Sequence, residues 1–149
     1  MAMLTERMKE VDRKVLVADS AKLIDEEVAH KSGLSGLALK GGYKVVKTIK
    51  PGFIEEAIDH LLDQFSEALS PLYEDYVAQE SVNSFEHYIK RHDSRAANDL
   101  LSITDERAKR SDNKVLKSTY QKLRGQAEKH VLEALPGLGR LIDQHAPKS

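Results

Sequence analysis

The sequence predicts an all-α fold, a compact single-domain bundle of six to eight helices with short connections. Three observations predict it. Apolar residues recur at three- and four-residue spacings along nearly the whole chain, the period of a buried helix face. Strand-like alternation is confined to fragments such as 14–17. Stop and cap signals fall at short intervals: Ser32-Gly33, Pro51-Gly52, Ser70-Pro71, His92-Asp93-Ser94, Ser111-Asp112-Asn113 and Pro136-Gly137. A chain of 149 residues can bury a core without staples, so one domain over 1–149 is expected.

In the first helix, Leu4, Met8, Val11 and Val15 recur at helical spacing, with Thr5 as cap and an irregularity expected near 13–17. The second runs to about residue 31 and carries Leu16, Leu23, Ile24 and Val28 inward. The third spans 34–50. At about 100° per residue, Leu34, Leu37, Ala38, Gly41, Gly42, Val45, Val46 and Ile49 share one face, and Lys40, Lys44 and Lys47 the other. Each interior glycine costs about 1 kcal/mol against alanine. Gly41 and Gly42 on the apolar face therefore predict close approach of a neighbouring helix.

Pro51 opens the fourth helix, where Phe53, Ile54, Ala57, Ile58, Leu61, Leu62, Phe65, Ala68 and Leu69 form the strongest apolar stripe in the chain. Ser70-Pro71 predicts a stop and a restart. Tyr73, Tyr76, Phe85 and Tyr88 then predict one aromatic cluster. A helix carrying Ala96, Ala97, Leu100, Leu101 and Ile103 follows His92. Asn113 and its neighbours cap the next, which Pro136-Gly137 ends, and Leu138, Leu141 and Ile142 form a last short helix. The tail from Ala146 is expected to fray.

Composition narrows the function. The chain has no cysteine, so disulfides and thiolate metal sites are excluded. It has no tryptophan and only 5% aromatic residues, a poor stacking surface for single-stranded nucleic acid. No uninterrupted apolar segment reads as a signal peptide or a membrane span, so a cytoplasmic location is expected. Net charge is −1 but unevenly spread. Residues 28–54 hold five lysines and no acid, 51–89 hold nine acids and no lysine or arginine, and 90–130 hold eleven bases against six acids. Oppositely charged helices lying side by side would explain this; a basic face for an anionic partner is the sharper alternative.

Site motifs are sparse. Gly36 to Tyr43 has P-loop glycine spacing but lacks the following Lys-Ser/Thr and any preceding strand. A di-iron site needs two Glu-x-x-His pairs; Glu27/His30 is the only one present. Glu56/His60, His60/Asp63 and His130/Glu133 read as surface pairs. Gly137-x-Gly139 reads as a helix C-cap and restart. No metal, cofactor or catalytic residue is expected. Bases from Arg107 to Lys129 are interrupted by Asp105, Glu106 and Asp112, which disfavours nucleic acid as the partner.

Several blocks carry a resemblance: Lys31-Ser-Gly-Leu-Ser-Gly36, Lys40-x-Gly-Tyr-Lys44, Lys50-Pro-Gly52, Tyr120-x-x-Leu-Arg-Gly125 and Leu135-Pro-Gly-Leu-Gly-Arg140. With these the chain resembles a bacterial family of small uncharacterised proteins, which implies a whole-chain domain and no catalytic residues. The expected function is a non-enzymatic binding or interaction protein engaging a protein partner or itself. Lys31, Ser32, Lys40, Lys44 and Lys47 would contact an anionic partner. Two alternatives stand beside it. One is a hydrolase or transferase on a phosphorylated small molecule near Ser32, Ser35 and Lys31. The other is weak binding of an anionic surface, nucleic acid or lipid, by the Lys40/Lys44/Lys47 stripe.

Overall fold

The structure, a computed structural model, describes residues 3–49 and 51–147, with the side chains of Ser35 and Ile49 outside the description. Seven helices and no strand make up the described residues: α1 Met3–Lys9, α2 Arg13–Ala29, α3 Gly33–Ile49, α4 Phe53–Ala78, α5 Phe85–Arg91, α6 Asp93–Arg110 and α7 Lys114–His145. The chain is all-α, as the apolar periodicity predicts.

Most boundaries follow the local chemistry. Asp12 caps α2 by accepting from the Lys14 N–H at 2.9 Å, which puts the first break at 10–12 rather than at 13–17. Thr5 lies inside α1 instead of capping it. Gly52 takes φ 80° as the N-cap of α4, so Pro51 stays in the turn and the helix begins at Phe53. Ser84 caps α5, and Asn113 caps α7 by accepting from the N–H groups of Val115 and Leu116.

Two predicted breaks are absent. α4 runs through Ser70-Pro71 and α7 through Pro136-Gly137. Pro71 has no N–H for the Glu67 carbonyl, which normally weakens a helix interior. Its ring faces solvent, Ser70 Oγ binds the Ser66 carbonyl one turn back at 2.8 Å, and Leu69, Leu72 and Tyr73 are buried on both sides of it. Tertiary packing therefore holds the helix across the proline. The fraying expected over 146–149 is corrected at its first two residues, with 148–149 outside the described residues: Ala146 is buried, its carbonyl accepts from Tyr73 Oη at 2.6 Å, and Arg7 donates to the Pro147 carbonyl at 3.0 Å.

One end of the bundle is filled. Its core joins Leu4 and Met8 of α1, Leu16 of α2, Leu69 to Tyr76 of α4, Phe85 to Ile89 of α5, Ala96 and Leu100 of α6, and Leu135 and Ile142 of α7. Tyr73, Tyr76, Phe85 and Tyr88 form the predicted aromatic cluster, with centroids 5.4–5.9 Å apart in tilted and edge-to-face pairs.

α5 seats on α7 at this end with almost no clearance. A Cβ on Gly139 would lie 2.5 Å from Glu86 Cα, and one on Gly137 would lie 2.6 Å from Leu23 Cδ1. The Gly-x-Gly pair is thus a contact surface inside a helix, not a C-cap. One turn on, Asp143 accepts the backbone N–H groups of Phe85 and Glu86 at 2.8 and 3.1 Å, capping α5 from across the interface.

The charged segments do pair across helices, though not in chain order. Acids of α4 meet Arg13 of α2 at Asp59 and Asp63 (3.1 Å each) and Arg95 of α6 at Asp75 (4.0 Å). The lysines near α3 instead meet acids of α2 and α7, at Asp25 and Glu133.

Candidate functional site

The residues expected to contact an anionic partner fall into separate places. Lys31 is 8% exposed and pairs with Glu133 of α7 at 3.8 Å. It lies under the α2–α3 turn, where Gly33 takes φ 75° and a Cβ on Gly36 would come within 2.8 Å of the Lys31 carbonyl carbon. The Lys31-to-Gly36 block is therefore turn geometry, and Lys31 is not on offer to a partner. Ser32 is exposed beside it; the Ser35 side chain lies outside the described residues. Lys40 and Lys44 are exposed on α3. Lys47 is tied back: its Nζ is 3.6 Å from Asp25 and 5.1 Å from the Tyr43 ring centroid.

The two α3 glycines also part company. A Cβ on Gly42 would meet Leu123 Cδ1 at 2.9 Å and Thr119 Cγ2 at 3.1 Å, so α7 approaches α3 there. Gly41 has nothing within 4 Å of such an atom and faces outward, correcting the expectation that both serve helix contact. The face of α3 that turns into the bundle is not the one expected: of the expected residues Gly42 and Val46 point inward, joined by Leu39 and Tyr43, which the expected face did not include, while Leu34 (89% exposed), Leu37 (65%) and Val45 remain outside.

Behind this inward face lies a partly open cavity of about 820 Å³ between α3, the first half of α4, the second half of α6 and the first half of α7. None of these four segments contributes a residue to the buried cluster of the filled end. Small residues open the space: Gly42, Ala57 and Ala108. Its walls are mainly aliphatic, with Leu39, Val46, Ile54, Leu61, Ile103 and Leu123 as examples. Gln64, Ser102, Thr104, Thr119 and the two tyrosines Tyr43 and Tyr120 supply the neutral polar points. A concave, chiefly apolar site of this size with a few polar groups has the form of a small-molecule site.

The tyrosines brace its walls. Tyr120 Oη donates to Asp105 at 2.6 Å and lies 2.8 Å from Thr104 Oγ1. Arg124 holds the same carboxylate with two hydrogen bonds of 2.8 and 3.2 Å. Arg124, with help from Tyr120, keeps the Asp105 carboxyl below its ordinary range against the opposing effect of burial. Burial, then donation to Asp105, pushes the Tyr120 hydroxyl up to about 12. Across the cavity Tyr43 hydrogen-bonds Asp25 of α2, and burial followed by that bond raises its pKa as well. Both phenols thus stay neutral at ordinary pH and fix helix to helix, α6 to α7 and α2 to α3.

The charged residues on the lining are Glu106, Arg107, Arg110 and Lys117, grouped about the α6–α7 turn. Glu106 faces Lys109 at 3.7 Å and Arg110 at 3.9 Å on its own helix. Arg107 and Lys117 are half-buried and make no ion pair among the described residues. Sequence reading places these two in a basic run but gives no sign of the hollow they border. That hollow depends on which faces of four helices meet, and no spacing within one helix encodes it.

A family model described as a family of unknown function (DUF6918) matches residues 4–146. No curated protein and no solved structure matches the chain.

Proposed function

The chain belongs to this family of unknown function, and for it we propose a non-enzymatic binding role in which the cavity between α3, α4, α6 and α7 takes an apolar small molecule. The observation that carries the proposal is the cavity itself. The hollow is partly open to solvent and leaves the apolar side chains of Leu39, Val46, Ile54 and Leu123 only partly buried, so covering them with an apolar molecule is favourable. Its two tyrosines are braced by carboxylates outside the lining, Tyr120 by Asp105 and Tyr43 by Asp25, rather than arranged as nucleophile and base. That arrangement favours holding a molecule over transforming it.

The test is titration of the purified protein with the uncharged apolar dye N-phenyl-1-naphthylamine. Saturable fluorescence enhancement at one site per chain is expected, weakened by Ala57→Trp, which places an indole within the cavity. A native-like Ala57→Trp variant that binds the dye as the parent does would overturn the proposal.

A second reading rests on the outer apolar part of α3. Leu34, Leu37 and Val45 are exposed next to Lys40 and Lys44, which suits docking of a protein partner or a second copy with acids around an apolar strip. Sedimentation equilibrium tests the self-association form of it. A monomer at all concentrations, unchanged by Leu34→Glu/Leu37→Glu, removes self-association.

A further inference from the structure

We infer that the cavity's ligand is a single-chain anionic amphiphile, an alkyl chain ending in a carboxylate, whose head sits between Arg107 and Lys117. The inference rests on the cavity reading above and adds the head group and the chain. Two features of the lining carry it.

The first is the walls. They are apolar over most of their area, with Phe53 the only non-hydroxylated aromatic ring among them. Of the polar side chains on the lining, the two phenols are already committed to carboxylates of the protein, Ser102 and Thr104 to backbone carbonyls of α6, and Glu106 to bases of its own helix. A sugar, a nucleotide or a peptide would leave its polar groups unpaired against such a surface. A hydrocarbon chain loses nothing there.

The second is the charge at the α6–α7 turn. Three bases, Arg107, Arg110 and Lys117, and one acid, Glu106, border the cavity. Glu106 is engaged by Lys109 and Arg110. Asp105, the nearest other acid of α6, is engaged by Arg124 and Tyr120. This leaves Arg107 and Lys117, both half-buried beside apolar surface and both without an ion-pair partner among the described residues. A cation removed partly from water is stabilised by an anion, and none of the described residues supplies one. A carboxylate between a guanidinium and an ammonium, one from each side of the turn, would supply it with charge-assisted hydrogen bonds.

Competition against bound N-phenyl-1-naphthylamine tests the inference, using hexadecanoate and hexadecanol below their aggregation limits. Hexadecanoate should displace the dye at least roughly tenfold more tightly than hexadecanol, the effect of about one charge-assisted hydrogen bond. Arg107→Gln/Lys117→Gln should erase that preference, leaving hexadecanol affinity and the circular-dichroism spectrum unchanged. Equal affinity of acid and alcohol for the parent protein overturns the head-group assignment while the cavity proposal stands. Failure of the dye itself to bind overturns both. A preference that survives the double substitution also overturns the assignment, because the anion is then held elsewhere.

Discussion

Alanine in place of Gly139 should destabilise the protein, while the same change at Gly125, fourteen residues earlier in the same helix, should stabilise it. Helix propensity favours alanine at both sites by roughly 1 kcal/mol. At Gly125 nothing lies within 4 Å of the added carbon, so that gain is kept. At Gly139 the new Cβ falls 2.5 Å from Glu86 Cα and 3.0 Å from Glu86 N. Both are backbone atoms, so no side-chain rotation relieves the clash, and α5 must back away from α7. Overpacking of this kind costs about 1–3 kcal/mol. The retreat also lengthens the hydrogen bonds from Phe85 and Glu86 to Asp143, a cap worth about 1 kcal/mol. After subtracting the propensity gain, the net loss is about 1–3 kcal/mol, or roughly 2–10 °C in Tm for a domain of this size. Urea unfolding followed by circular dichroism at 222 nm measures both variants. A Gly139→Ala protein as stable as the parent, with an unchanged m value, would refute the close seating of α5 on α7.

Other substitutions test other parts of the fold. Pro71→Ala should raise stability by up to about 3 kcal/mol, because the ring faces solvent and its replacement restores a donor for the Glu67 carbonyl; urea midpoints give the answer. Asp105→Asn should destabilise at neutral pH by leaving Arg124 without its carboxylate. Because Asp105 titrates low in the folded state, its contribution is present above the ordinary carboxylate pKa of about 4 and is lost as pH falls below it. The gap between parent and variant should therefore narrow between pH 7 and pH 3 in urea titrations. Lys47→Glu should cost up to about 1 kcal/mol by placing like charge beside Asp25, while Lys40→Glu and Lys44→Glu, both on exposed surface, should be near neutral in thermal melts.

Much of the fold was legible in the sequence because the helix faces are locally encoded. The stripe from Phe53 to Leu69 and the cap at Asn113 sit where sequence spacing and turn chemistry place them. The failures share one cause. Ser70-Pro71 and Pro136-Gly137 are local break signals, and each is overridden by contacts from distant parts of the chain, as Leu23 against Gly137 shows. The binding residues suffered similarly. Lys31 reads as an exposed cation from its neighbours, yet Glu133, about a hundred residues away, takes it into the interior. Arg107 and Lys117 look like two charges among many until α3 and α4 are set opposite them.

Filling only one end has a kinetic consequence. Amide protons of α5, the second half of α4 and the last turns of α7 lie at the filled end and are expected to exchange slowest. The segments around the hollow contribute nothing to that buried cluster, so faster exchange is expected there, and hydrogen-exchange mass spectrometry measures the difference. A molecule taken up by the hollow would then act on the looser end alone, leaving the sealed end as the anchor of the chain.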